Sequence, residues 1–146
     1  MAPDDTEVRL ALYRLFVDSG RAPSASALAA HLGAPMDEVR TALERLAAAK
    51  AVVLQPESRE ILIAAPLCAV PTPYLVHVGG RQYFGTCAWD ALAIPAMLEA
   101  DGRVETSCAC CGEGMYIEIR KGAAEGSGVI HFALPARQWW QDIVFT

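Results

Sequence analysis

Three prolines fall close together at positions 66, 71 and 73, and they split the chain into two stretches that follow different hydrophobic periods. Proline lacks an amide donor and favours extended backbone, so residues 66–73 read as a linker. On its N-terminal side apolar residues recur at helical spacing. On its C-terminal side they alternate, as on a half-buried strand. A hydrophobic content of 53% in 146 residues is enough to give either stretch a core.

From Thr6 to Ser19 the residues Val8, Leu10, Leu12, Leu15 and Phe16 mark a first helix, with Asp4, Asp5 and Thr6 as candidate caps and Gly20 as its stop. Ser24 or Ser26 can cap a short second helix carrying Leu28, Ala29 and Leu32 and closed by Gly33. Pro35 and Asp37 open a third, running to about Lys50, with Val39, Leu43 and Leu46 on one stripe. Two short runs, 51–54 and 60–64, flank a polar tip and read as a hairpin. Three helices and a hairpin in that order resemble a winged helix-turn-helix over residues 1–65.

Beyond the linker, residues 74–78 and 81–84 alternate around Gly79-Gly80, the signature of a tight hairpin. A helix is expected from near Thr86 through Asp90 toward Leu98, with Pro95 kinking or restarting it. Strands are expected at 103–107, 115–120 and 129–134, with glycine-rich turns at 112–114 and 122–128. The expected fold class is α+β: a winged-helix-like three-helix domain at 1–65, the linker at 66–73, and over 74–146 a small mixed-sheet core whose central helix carries Cys87 and Asp90.

The charge pattern narrows the partners. A net charge of −5 and a pI near 5.1 oppose binding to phosphate backbones. On the third helix Arg40, Arg45 and Lys50 are offset by Asp37, Glu38 and Glu44, so DNA is not expected as a partner and the helical domain reads as structural. Prolines break every long apolar run, so no membrane partner is expected. Asp4, Asp5 and Glu7 stand where a secretory leader would be basic, making the cytoplasm the expected compartment. Five cysteines, at 68, 87, 108, 110 and 111, are an odd number and favour metal or thiol chemistry over a disulfide framework.

Cys87 and Asp90 stand three apart at the start of the central helix, so their side chains leave from one face and can share a proton or a metal ion. A helix N-terminus favours a thiolate and a neighbouring carboxylate opposes it, an acid/base arrangement. The spacing alone also fits a buried thiol beside a surface carboxylate. Cys108-Ala109-Cys110-Cys111-Gly112 has the spacing of a zinc knuckle, in which a tight turn lets two sulfurs grip one ion. Zinc or another soft metal could sit there, but a tetrahedral site needs two more ligands, from Cys87 across the fold or from a second chain. The other reading is a turn with one buried structural thiol. Cys68 reads as an ordinary buried residue, and His31, His77 and His131 read as structural. Trp139 and Trp140 read as cover for the core, or as an aromatic wall suited to an organic group; left exposed, they would drive self-association, with a homodimer as one outcome.

The stretch Pro71–Leu98, in which Tyr74, His77, Tyr83 and Phe84 lead into Cys87-Ala88-Trp89-Asp90 and then Ile94-Pro95-Ala96-Met97, resembles the central motif of the organomercurial (alkylmercury) lyase family. Arg103-Val104, then Ser107-Cys108 and Gly112, resemble that family's next strand and its non-catalytic cysteine. The resemblance implies protonolysis of a carbon–mercury bond, giving a hydrocarbon and Hg(II). Mercury is soft and prefers thiolates, and each added sulfur makes the bound carbon more basic. Cys87 would then be the first mercury ligand, and Asp90 would take the thiol's proton and deliver it to the carbon. No cofactor is implied; organomercury is substrate and Hg(II) product, with low-molecular-weight thiols or a mercuric reductase as recipients. The tail Trp139-Trp140-Gln141-Asp142-Ile143-Val144-Phe145-Thr146 resembles the approach to the family's second catalytic cysteine, which would align just after Thr146. The expectation is a C-terminally shortened member: a clipped chain, a reading frame ending at a codon otherwise read as selenocysteine, or a natural short variant. The competing expectation is a soft-metal-binding protein or metal sensor using Cys108, Cys110 and Cys111, with or without DNA binding.

Overall fold

A computed structural model describes residues 2–144. Helix α1 (Asp5–Ser19) opens with a capping box in which the Asp4 carboxylate accepts from the Glu7 amide at 2.7 Å and the Glu7 carboxylate accepts from the Asp4 amide at 3.1 Å. It stops at Gly20 (φ 74°), a left-handed conformation that glycine adopts without strain. Helix α2 (Ala25–Leu32) is capped by Ser24, and α3 (Met36–Ala48) follows Pro35. The stripes read from the sequence meet in the core: Val8, Leu12, Phe16, Leu28, Val39 and Leu43 are buried together. The hairpin of β1 (Val53–Leu54) and β2 (Ile61–Ala64) is tied to these helices by ion pairs, Arg59 to Glu44 and Glu60 to Arg40, the second at 3.2 Å.

The segment 66–73 is more than a linker. Strand β3 (Leu67–Cys68) lies within it, both residues buried, and pairs with β2 on one side and β5 (Arg81–Gly85) on the other. Between Pro66 and Pro71 four residues, Leu67 to Val70, keep their amides, which is enough for a short bridge at Leu67–Cys68. One sheet therefore runs β1-β2-β3-β5-β4-β6-β7-β8 across the whole chain, with β4 at Leu75–Val78, β6 at Gly102–Ser107, β7 at Gly114–Arg120 and β8 at Ala123–Glu125. All of its pairings are antiparallel, where a mixed sheet was expected. Strands β4 and β5 meet at Gly79-Gly80 with φ of 57° and 78°, the doubly positive pair a two-residue hairpin requires.

A further expectation is corrected. No strand forms at 129–134. Lys121 and Gly122, both with positive φ, reverse the chain in two residues, so β8 takes the edge of β7 inside what read as one long turn. Helix α4 (Ala88–Met97) also runs through Pro95 without restarting, and the proline is buried. Toward the end of the chain a 3₁₀ helix spans Ala136–Gln141. Among the described residues, no helix is long and apolar enough to cross a membrane.

Candidate functional site

Close backbone approaches set the position of α4. Gly85 ends β5 so near the helix that a Cβ there would lie 2.6 Å from the Ala91 nitrogen. Gly102 makes room for the Pro95 ring, which would be 2.9 Å from a Cβ at that position. The end of β5 is fastened in turn: the Thr72 hydroxyl donates to the Gly85 carbonyl at 2.6 Å, and the Gly85 amide donates to the Tyr74 carbonyl at 3.0 Å. Two residues later Cys87 is the N-cap of α4 in extended backbone, and its carbonyl accepts the Ala91 amide at 2.9 Å. Asp90 follows in the first turn. The i, i+3 spacing thus brings thiol and carboxyl to one place, as the sequence suggested.

Both side chains line a cavity of about 190 Å³ whose wall is mostly apolar. One side is formed by Lys50, Ala51, Val52 and Val53 after α3, with Ile63 and Ala65 from the second hairpin strand and its exit. Phe132, Trp139, Trp140 and Ile143 close the other. The Trp139 indole donates to the Leu134 carbonyl at 2.9 Å and its ring packs 4.9 Å from that of Phe132, while the Lys50 ammonium lies 5.6 Å over the Trp140 ring. The Ala65 carbonyl is held by the Tyr13 hydroxyl at 2.6 Å. A larger groove of about 930 Å³ runs between the α1–α2 connection and β4–β5, lined by Glu60, Cys68 and His77 among others, and it takes in neither Cys87 nor Asp90. The smaller cavity is the one that takes in the paired thiol and carboxyl at the start of α4.

Burial raises the Cys87 pKa, and the Asp90 charge adds to the rise; the Asp90 and Trp89 amides, facing the sulfur, pull the other way. Burial likewise raises Asp90, opposed by hydrogen bonding to Thr86 and to the Cys87 thiol. The Thr86 hydroxyl is buried and lacks a partner of regular geometry, so it is free to turn toward that carboxyl. Thiol and carboxyl are thus both shifted toward their protonated forms. It follows that alkylation of Cys87 should have its pH midpoint above that of an ordinary cysteine, and that Asp90→Asn, by removing the charge, should bring the midpoint down. Peptide mass spectrometry across pH would measure this, with Cys108, whose pKa is lowered by the Cys111 and Cys110 amides, as an internal contrast. A Cys87 midpoint below that of Cys108 would contradict the arrangement.

The remaining sequence-predicted residues lie elsewhere. Cys108 is half-buried, and Cys110 and Cys111 are exposed, on the β6–β7 connection; Cys108 does not join Cys87 in the cavity. Among the described residues, no three His, Cys, Asp or Glu side chains gather as they would around a metal ion. Cys68 is buried on β3, His77 pairs with Glu105 at 3.2 Å on the sheet surface, and His31 and His131 are exposed. Trp139 and Trp140 take the wall position. Phe145 and Thr146, on which the resemblance to the approach of a second cysteine partly rests, lie outside the described residues. Sequence reading missed residues 50–53, Ile63, Ala65, Phe132 and Ile143 as cavity wall, because nothing local in those segments points to residue 87.

Residues 67–146 match the family model MerB, alkylmercury lyase. The alkylmercury lyases of Bacillus cereus and Clostridium butyricum are each 28% identical over 92 residues, and that of Staphylococcus epidermidis (strain ATCC 12228 / FDA PCI 1200) is 29% identical; each match takes in 63% of this chain and 40% of the relative. The chain thus spans about two-fifths of the length of these curated relatives. The solved structure of the mercury-bound form of MerB2 superposes with a TM-score of 0.64 at 27% identity, covering 82% of this chain and 58% of that one.

Proposed function

The chain belongs to the alkylmercury lyase family, and from that premise we propose that it captures organomercurials at Cys87 and cleaves their carbon–mercury bond with a proton carried by Asp90. The observation that carries this reading is the shared cavity, in which one thiol at the N-cap of a helix and one carboxyl in its first turn face a small, largely apolar space. The Cys87 sulfur displaces a thiolate ligand from mercury and its proton passes to Asp90. A second sulfur, from a low-molecular-weight thiol, joins the metal and makes the bound carbon basic enough to accept that proton. Hydrocarbon leaves, and Hg(II) stays on sulfur until thiols or a mercuric reductase take it. Every step runs on side chains and thiols, without a cofactor.

The three helices and the β1–β2 hairpin are read as a winged-helix-type unit serving as a wall, since residues 50–53 close the cavity; DNA is not part of the proposal. A cytoplasmic setting, where thiols are abundant, suits the chemistry. The test is incubation of the protein with phenylmercuric acetate and excess monothiol, following benzene by gas chromatography. Benzene release by wild type and its loss in Cys87→Ser are expected; cleavage by Cys87→Ser at the wild-type rate would refute the assignment.

The aromatic wall carries a separate expectation. Trp139→Ala should raise the KM for an arylmercury substrate about two- to tenfold, the range of an aromatic contact, with a smaller effect for methylmercury. Equal changes for both substrates would remove the ring from the binding role.

A further inference from the structure

The β6–β7 connection holds chemistry that the cavity does not use. The Cys108 amide donates to the Glu113 carbonyl at 2.8 Å and the Gly112 amide donates to the Cys108 carbonyl at 2.8 Å, closing a tight turn that Gly112 completes with φ 75°. Within it the Cys111 and Cys110 amides, and then the Cys111 side chain, lower the Cys108 pKa. Cys110 and Cys111 are exposed. Cys108 and Cys111, three residues apart on a turn held by its own backbone, with Cys111 open to solvent, are placed for chelation.

We propose that Cys108 and Cys111 are a second, independent metal site, a dithiol clamp for a soft cation satisfied by two sulfurs, with Hg(II) as its ligand. Ligand number decides the metal class. Zinc in structural sites takes four protein ligands, and among the described residues no third His, Cys, Asp or Glu joins the pair. A soft cation that is stable between two thiolates needs no more than the turn supplies. Capture from a mercuric bis-thiolate is a plain exchange. Two mercury–sulfur bonds form to the protein, two break, and each departing thiolate leaves with the proton of the cysteine that replaced it. Because both protein sulfurs are tethered, the second exchange is intramolecular, and the clamp outcompetes free monothiols.

The experiment uses the full chain with Cys87→Ser, so that mercury on the cavity thiol is not counted and the outcome does not depend on the lyase reading. Mercuric chloride is added with excess monothiol, the protein is passed through gel filtration, and bound metal is measured with the near-ultraviolet mercury–thiolate absorption. Retention of one Hg(II) per chain is expected, unchanged in Cys87→Ser/Cys110→Ser and reduced about tenfold or more in Cys87→Ser/Cys111→Ser. Cys111 is exposed, so its replacement leaves the fold intact. Retention that survives loss of Cys111, no retention by Cys87→Ser, or stoichiometric zinc held on the same pair by the monomer would each overturn the proposal. Benzene release in the first turnover should be unaltered by Cys111→Ser, which separates failure of the clamp from failure of the lyase reading.

Discussion

Asp90→Asn is expected to slow benzene release from phenylmercury by about 10²–10⁴-fold, the range of a positioned acid or base, while capture of the organomercurial by Cys87 persists. Asparagine keeps the shape of the side chain and can still face Thr86, but it can neither accept the thiol's proton nor pass one to carbon. A trapped adduct on Cys87, seen by intact-mass spectrometry, with little hydrocarbon formed, is the expected signature. Full-rate cleavage would remove Asp90 from the proton path. The same substitution has a predictable effect on the fold. Burial raises the Asp90 pKa, so the folded state favours the protonated carboxyl, and its stabilising contribution is lost as pH rises through the folded pKa. Once ionised, Asp90 destabilises the fold, so the neutral Asn variant should melt at a higher temperature at neutral pH and less differently in acid. A site kept at the expense of stability is what such chemistry demands.

Gly85→Ala should be the most damaging single-carbon change. The added Cβ would meet the Ala91 nitrogen at 2.6 Å and its Cα at 2.7 Å, both backbone atoms of α4 that cannot swing aside. Either the helix shifts or the strand end does, and both carry Cys87 with them. A cost of about 1–3 kcal/mol is expected from such overpacking, read from urea denaturation, together with loss of cleavage out of proportion to the loss of folded protein. Gly114→Ala is the control: a Cβ there meets nothing within 4 Å, and a change within about 0.5 kcal/mol is expected. Equal destabilisation by the two substitutions would mean that the approach of β5 to α4 is not what sets the helix.

The meeting of Cys87 and Asp90 in one cavity was legible because it is local. Cys87 and Asp90 lie on one helical turn, and three residues of spacing put their side chains together whatever surrounds them. The hairpins at Gly79-Gly80 and around residues 55–59, and the capping at Asp4 and Ser24, could be read for the same reason. What could not be read depends on distant partners. Leu67 and Cys68 form a strand only because β2 and β5 present edges on either side, and a two-residue strand carries no periodicity of its own. Residues 129–134 alternate like a strand but find the β7 edge already taken by β8. The cavity walls at 50–53 and 132–143 are apolar runs of the kind any core contains, and their role appears once the sheet brings them over residue 87.

The two-residue bridge at Leu67–Cys68 has a consequence for how this architecture can change over time. It stitches the hairpin that follows the helices to the strand that leads to Cys87, so the halves on either side of the prolines are not interchangeable parts. A recombination breakpoint there would unpick a hydrogen-bonded ladder and strip one side from the cavity in a single event, which confines tinkering to substitutions within the existing frame.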